Sequence, residues 1–291
     1  MHVTSLRGSF RQSMISDSKT LFLPGAAVCF VLFAVCYVAL VRTEWGHQLD
    51  DGAYMASDGF SRRLIALDAS LLMDVSRKTI VVAAGVLFLI SALRRSLVVG
   101  LVAVTGFFTA VLGAEAFKHV LPWRALAPED AMLGESMQLG TFPSGHATIA
   151  TAFGLSLLLV CPARWRSWLV VGVGVLSSLF ASGVVFTGWH RASDALGALA
   201  WSGVCMNLAA AIAVRLRGRP VIGSTRSPLS GSMVLGIVLL VAFFLVAATG
   251  APQHPVRDLP FFLLTGLIII SSFILTAWYS RQLDAVDFSR S

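Results

Sequence analysis

Residues 21–41, LFLPGAAVCFVLFAVCYVALV, decide the fold. The stretch holds no charged side chain. A hydrocarbon layer about 30 Å thick is crossed by a helix of about 20 such residues. Arg7, Arg11 and Lys19 precede it in a polar segment, 1–20, as basic residues precede a secretory signal. The run exceeds a signal core, and no small-x-small cleavage site closes it. It reads as a retained first spanning helix.

Similar apolar runs recur at Thr79–Leu93, Leu97–Phe117, Pro143–Val160, Trp168–Thr187, Asp194–Val214, Met233–Gly250 and Leu259–Trp278. The second is short, but Lys78 and Arg94 at its ends can snorkel and extend its reach. Composition agrees: 56% of residues are hydrophobic and 13% charged, against about a quarter charged in a soluble domain. The expected fold is all-α, a polytopic transmembrane bundle of eight spans. Segment 1–20 is followed by a six-helix core over 21–215, two additional helices within 216–280, and a tail, 281–291. No internal repeat, low-complexity tract or soluble domain interrupts it.

The net charge of +7 does not point to nucleic acid, because the basic residues cluster in short loops between spans. With the N-terminus inside, the inner segments hold Arg94 and Arg95, Arg164 and Arg166, and Arg215, Arg217, Arg219 and Arg226. The acidic residues other than Asp17, Asp284 and Asp287 fall outside. This positive-inside pattern places the chain in the cell membrane with both termini cytoplasmic. Cys29, Cys36, Cys161 and Cys205 lie in or at the ends of apolar runs without a C-x-x-C pair, which argues against a disulfide framework or zinc site.

Two outer loops are long. Thr43–Lys78 carries a helical stripe, Leu64, Leu67, Leu71 and Val75. It reads as an interfacial helix, with a lid over a lipid path as the sharper alternative. Lys118–Phe142 leads into Phe142-Pro143-Ser144-Gly145-His146 at the start of the fourth span. Proline suits a first helical turn. The backbone N–H groups that follow, the Ser144 hydroxyl and the open approach at Gly145 form an anion cradle at a positive helix end. His146 beside it could protonate a leaving oxygen. A plain Pro-Ser-Gly turn with a solvated histidine fits the same letters.

His190 and Asp194 lie where the fifth span returns into the sixth. On a helix their spacing puts both on one face. The aspartate would fix the imidazole tautomer and leave the other nitrogen to attack phosphorus; an ordinary His–Asp helix cap is the competing reading. Lys118 and Arg124 are candidate clamps on phosphoryl oxygens, or else headgroup contacts. Glu115 is expected to pair with Lys118. His47, His119 and His254 read as loop histidines. No carboxylate cluster suggests magnesium, so no cofactor is expected.

Pro143-Ser144-Gly145-His146 resembles the central motif of the type 2 phosphatidic acid phosphatase family, the lipid phosphate phosphatase and vanadium haloperoxidase superfamily. Lys118 and Arg124 are similar to its first motif, His190 and Asp194 to the end of its third. The resemblance spans about Lys118 to Asp194 and the surrounding six helices. It implies a metal-free phosphatase with His190 as nucleophile, Asp194 as its orienting partner and His146 as general acid. The phosphate would be held by Lys118, Arg124, Ser144 and Gly145. Two departures stand out. Arg124 is followed by Ala125 rather than proline and falls one position early. Val184 stands where the third motif has an arginine, and Arg191 is its candidate replacement.

The expected function is hydrolysis of a lipid phosphate monoester or polyprenyl diphosphate at the extracytoplasmic face. Phosphatidic acid, phosphatidylglycerol phosphate and a polyprenyl diphosphate carrier are candidate substrates, the lipid bilayer is a further partner, and nucleic acid is not expected. A transporter or lipid-binding protein that has lost catalysis is the rival expectation.

Overall fold

The computed structural model describes residues 21–57, 77–121, 141–220, 234, 236, 238, 239, 242 and 255–288. Over these residues the chain is an all-α bundle. Helix α1 (Leu23–Val35) opens on a proline in its first turn and continues as a π-helical stretch, Cys36–Arg42. Then come α2 (Glu44–Ser57), α3 (Arg77–Leu93), α4 (Leu97–Val120), α5 (Gly145–Val160), α6 (Ala163–Phe186), α7 (Ala192–Arg217) and α8 (Pro255–Asp284). Five of the described helices are long and apolar enough to cross a membrane: α1 with its π-helical extension, α4, α6, α7 and α8 from Asp258. α5 has 16 residues, about 24 Å of rise, and α3 has 17. Most of the Met233–Gly250 span and the Leu64–Val75 stripe lie outside the described residues.

Helix α7 is the axis. It packs against α1, α4, α5, α6 and α8, and 83% of its apolar window is inside the protein, against 28% for α1. Small residues make this closeness feasible: Ala192, Ala195, Ala198, Ala209, Ala210 and Ala213 are all buried. Between membrane helices, tight van der Waals contact and interhelical hydrogen bonds replace the hydrophobic drive. One such bond runs from Trp201 Nε1 to the Ala110 carbonyl, 2.9 Å. Val28, Phe30, Val31, Leu32 and Val35 on α1 are exposed, an apolar face that suits contact with lipid.

The last helix is integral to this core. It packs on α2, α6 and α7. Tyr279, fully buried, donates from its hydroxyl to the Met206 carbonyl at 3.2 Å. Buried Arg166 donates to the Leu283 carbonyl at 2.8 Å and lies 3.5 Å from Asp284. Beyond it, β2 (Val286–Asp287) pairs antiparallel with β1 (Arg219–Pro220), joining the end of the chain to the segment after α7.

The connectivity gathers the chemistry at one end. α4 finishes there, α5 starts there, α6 turns through 187–191 into α7 there, and α2 packs alongside α7.

Candidate active site

The turn between α6 and α7 is built around the Val184 carbonyl, which accepts the N–H groups of Trp189 at 3.0 Å and His190 at 2.9 Å. Gly188 takes φ 66° to close this turn, a left-handed conformation that costs glycine least. Val184 itself is fully buried, so its side chain takes no part in the site. Arg191 is the N-cap of α7, and Asp194 stands in the first turn. Asp194 Oδ2 accepts from the Arg191 backbone N–H at 3.2 Å and lies 3.1 Å from His190 Nδ1. The His190–Asp194 pair therefore arises from cap geometry. His190 precedes the helix, so the stretch is not helical throughout and the two residues do not meet across one helical face. A proton on Nδ1 shared with Asp194 leaves the Nε2 lone pair for chemistry.

Helix α5 meets this turn directly. The Ser144 N–H donates to the Asp194 carbonyl at 3.0 Å, which joins the two histidine motifs through one backbone bond. The Phe142–Pro143 peptide is cis. Phe142 packs so closely on Gly197 that a β-carbon there would clash with its ring. Ser144 is the N-cap and Gly145 the first helical residue, so the helix begins two positions after Pro143. Ser144 is fully buried, and its Oγ has no hydrogen-bond partner among the described residues. A β-carbon on Gly145 would lie 3.6 Å from Lys118 Nζ, so the lysine, at the far end of α4, reaches the mouth of α5. His146 is half-buried beside Trp189, with ring centroids 5.5 Å apart, and its electrostatic neighbours are His190 and Lys118.

The cations have partners already. Lys118 Nζ is 2.9 Å from Glu115 Oε2, as its spacing suggested. Arg191 Nε donates to Asp51 Oδ1 at 2.7 Å, and its guanidinium lies 5.2 Å from the Tyr54 ring centre. Burial opposes the Arg191 charge, but the hydrogen bond and field of Asp51, with Asp194 and Asp50 behind it, raise its pKa above the ordinary arginine value. Arg124 lies outside the described residues.

Helix α2 supplies residues that sequence reasoning missed. Asp50 is fully buried and accepts both the Ser193 N–H, at 3.0 Å, and the Ser193 hydroxyl, at 2.5 Å. Ser193 therefore sits inside α7, bound to Asp50, and Arg191 takes the capping position. Asp51 also pairs with His47 at 3.0 Å. His47 thus stands on a helix, and so does His119, in the last turn of α4 and 3.8 Å from Glu115; neither is a loop histidine. The adjacent Asp50-Asp51 pair within a polar helical stretch was the available signal. Among the described residues, no group of three or more His, Cys, Asp or Glu side chains converges as a metal site.

Compared with known proteins, the chain matches no family model, no curated protein and no solved structure.

Proposed function

We propose that the protein is a membrane phosphatase that hydrolyses a lipid phosphate monoester or polyprenyl diphosphate through a phosphohistidine. The observation that carries this reading is the Ser144 N–H bond to the Asp194 carbonyl. It brings an aspartate-bound histidine to the positive end of a helix that also has a lysine at its mouth.

The phosphoryl group sits at the start of α5, where N–H groups without intrahelical partners, the Ser144 hydroxyl and Lys118 face its oxygens. His190 Nε2 attacks phosphorus, and the imidazolium that forms is stabilised by Asp194. The bond to the leaving oxygen breaks as His146 delivers a proton to it. Water then cleaves the phosphorus–nitrogen bond, with His146 accepting the proton of water. No step in this scheme requires a metal ion, so turnover should persist in chelator, and orthovanadate should inhibit as a mimic of five-coordinate phosphorus. The basic residues of the short loops favour a site on the extracytoplasmic side of the cell membrane, with both termini cytoplasmic.

A second reading has its own support. Arg191 is bound to Asp51 and Val184 is buried, so the set of cations is poorer than a phosphate clamp ordinarily uses. A lipid-binding protein or transporter without catalysis would tolerate that. Phosphate release from a panel of lipid phosphates in detergent separates the two. The phosphatase reading expects turnover that is abolished in His190→Ala and lowered about 10²–10⁴-fold in His146→Ala. Lipid binding without phosphate release in the wild type would favour the second reading.

A further inference from the structure

Helix α2 is held firmly against the histidine end of the bundle. The Thr43 hydroxyl accepts the Gly46 N–H at 3.1 Å and so caps its start. A side chain at Gly46 would collide with the Ala39 carbonyl, and a β-carbon on Gly52 would lie 3.5 Å from the Pro260 ring of α8. The face turned into the protein carries Asp50, Ala53 and Ala56, none more than 3% exposed. A carboxylate buried beside two small apolar residues is costly unless it is well bonded. Asp50 takes the N–H of Ser193 on one oxygen and its hydroxyl on the other, and Ser193 is itself 1% exposed.

Ser193 lies in the first turn of α7, directly before Asp194. The donors of that turn are divided among separate acceptors. Asp194 and Ala195 give their N–H groups to the Arg191 carbonyl, at 3.1 and 3.4 Å. Arg191 gives its N–H to Asp194 Oδ2, the same oxygen that meets His190 Nδ1. The Ser193 N–H goes to Asp50. Without Asp50 that N–H would be a bare buried donor, which is expensive. Asp194, the acidic residue of the turn, would be drawn toward it and away from His190.

We propose that Asp50 is a positioning residue for His190: by occupying the Ser193 N–H and hydroxyl, it leaves Asp194 to hold the imidazole. Asp50 acts through Ser193 and Asp194 and not on the phosphoryl group. The consequence for turnover rests on the phosphatase reading; the consequence for the imidazole does not.

The test reads the imidazole first. In protein labelled with ¹⁵N at histidine and held in detergent, the nitrogen shifts of His190, assigned by their loss in His190→Ala, report which ring nitrogen carries the proton when the ring is neutral. The wild type should show the Nδ1–H tautomer, and Asp50→Ala a mixture of the two. Asp50→Asn, whose amide can accept the N–H and donate to the hydroxyl, should restore the single tautomer. Asp50→Ser carries the expectation of Asp50→Ala should the latter fail to fold. With a short-chain lipid phosphate, kcat should fall about 10²-fold in Asp50→Ala with KM little changed, and return to within about threefold of the wild type in Asp50→Asn. A lower melting temperature in Asp50→Ala with tautomer and kcat unchanged would overturn the proposal and make Asp50 a structural cap. So would a failure of Asp50→Asn to restore the tautomer. A wild type that releases no phosphate, but whose tautomer responds to Asp50→Ala and Asp50→Asn as described, would sink the phosphatase reading and leave the positioning role standing.

Discussion

Helices α5 and α7 begin one hydrogen bond apart, at Ser144 and Asp194, yet their ends are furnished in opposite ways. Every helix start presents N–H groups that favour negative charge. α7 finds that charge within the protein: Asp194 takes the Arg191 N–H, and Asp50, arriving from α2, takes the Ser193 N–H. α5 has no acidic residue in its first turn. Instead it has a buried hydroxyl without a partner among the described residues and a lysine at its mouth. One helix start is closed by the chain's own carboxylates and holds a histidine in place. On the phosphatase reading we propose, the other receives an anion from outside. On that reading the contrast separates a structural cap from a binding site using the same backbone physics.

Three substitutions probe it. The largest effect is expected at the closed end. Asp194→Asn keeps the size of the side chain but removes the charge that stabilises the His190 imidazolium, and kcat should fall about 10³–10⁴-fold. A loss under about tenfold would mean that Asp194 is only a cap. At the open end, Ser144→Ala removes one donor to a charged oxygen. Such a bond is worth about 1.5–3 kcal/mol, so kcat/KM should fall at least about tenfold while thermal stability holds or improves, because the buried hydroxyl is otherwise unpaired. Lost stability with unchanged kcat/KM would make the two helix starts equivalent. The smallest effect is expected from the ion pair that joins α2 to the turn. If Arg191 acts only through Asp51, then Arg191→Ala, Asp51→Ala and the double variant should cost similar amounts in kcat/KM. Arg191→Ala costing at least about tenfold more than Asp51→Ala would restore Arg191 as a phosphate ligand.

Much of this was legible in the sequence. The spans announce themselves because membrane burial demands uninterrupted apolar runs, and Leu21–Val41 needs no partner to be read. That Ser144, Gly145 and His146 open a helix was legible because helix-start signals are local. The pairing of His190 with Asp194 was also legible from spacing, although the geometry is that of a cap and not of a helical face. The role of α2 was not legible. Asp50 and Asp51 reach Ser193 and Arg191 across more than 130 positions of chain, and no local periodicity encodes such a contact. The same pairing bears on the expectation that Arg191 stands in for the arginine of the resembled motif: the carboxylate that binds Arg191 comes from a helix which the sequence shows only as part of a polar loop. The integration of α8 was hidden for a similar reason, since a span's hydropathy says that it crosses the membrane and not which helices it meets.

The central claim is that His190 carries the phosphoryl group. Its most direct measurement is a trapping experiment: the protein is mixed with a short-chain lipid phosphate, denatured under alkaline conditions that preserve phosphohistidine, digested and sequenced by mass spectrometry. The account predicts a phosphoryl adduct on His190 that forms in chelator and is absent from His190→Ala. Turnover by His190→Ala at a rate near that of the wild type, or an adduct on a different residue, would contradict it.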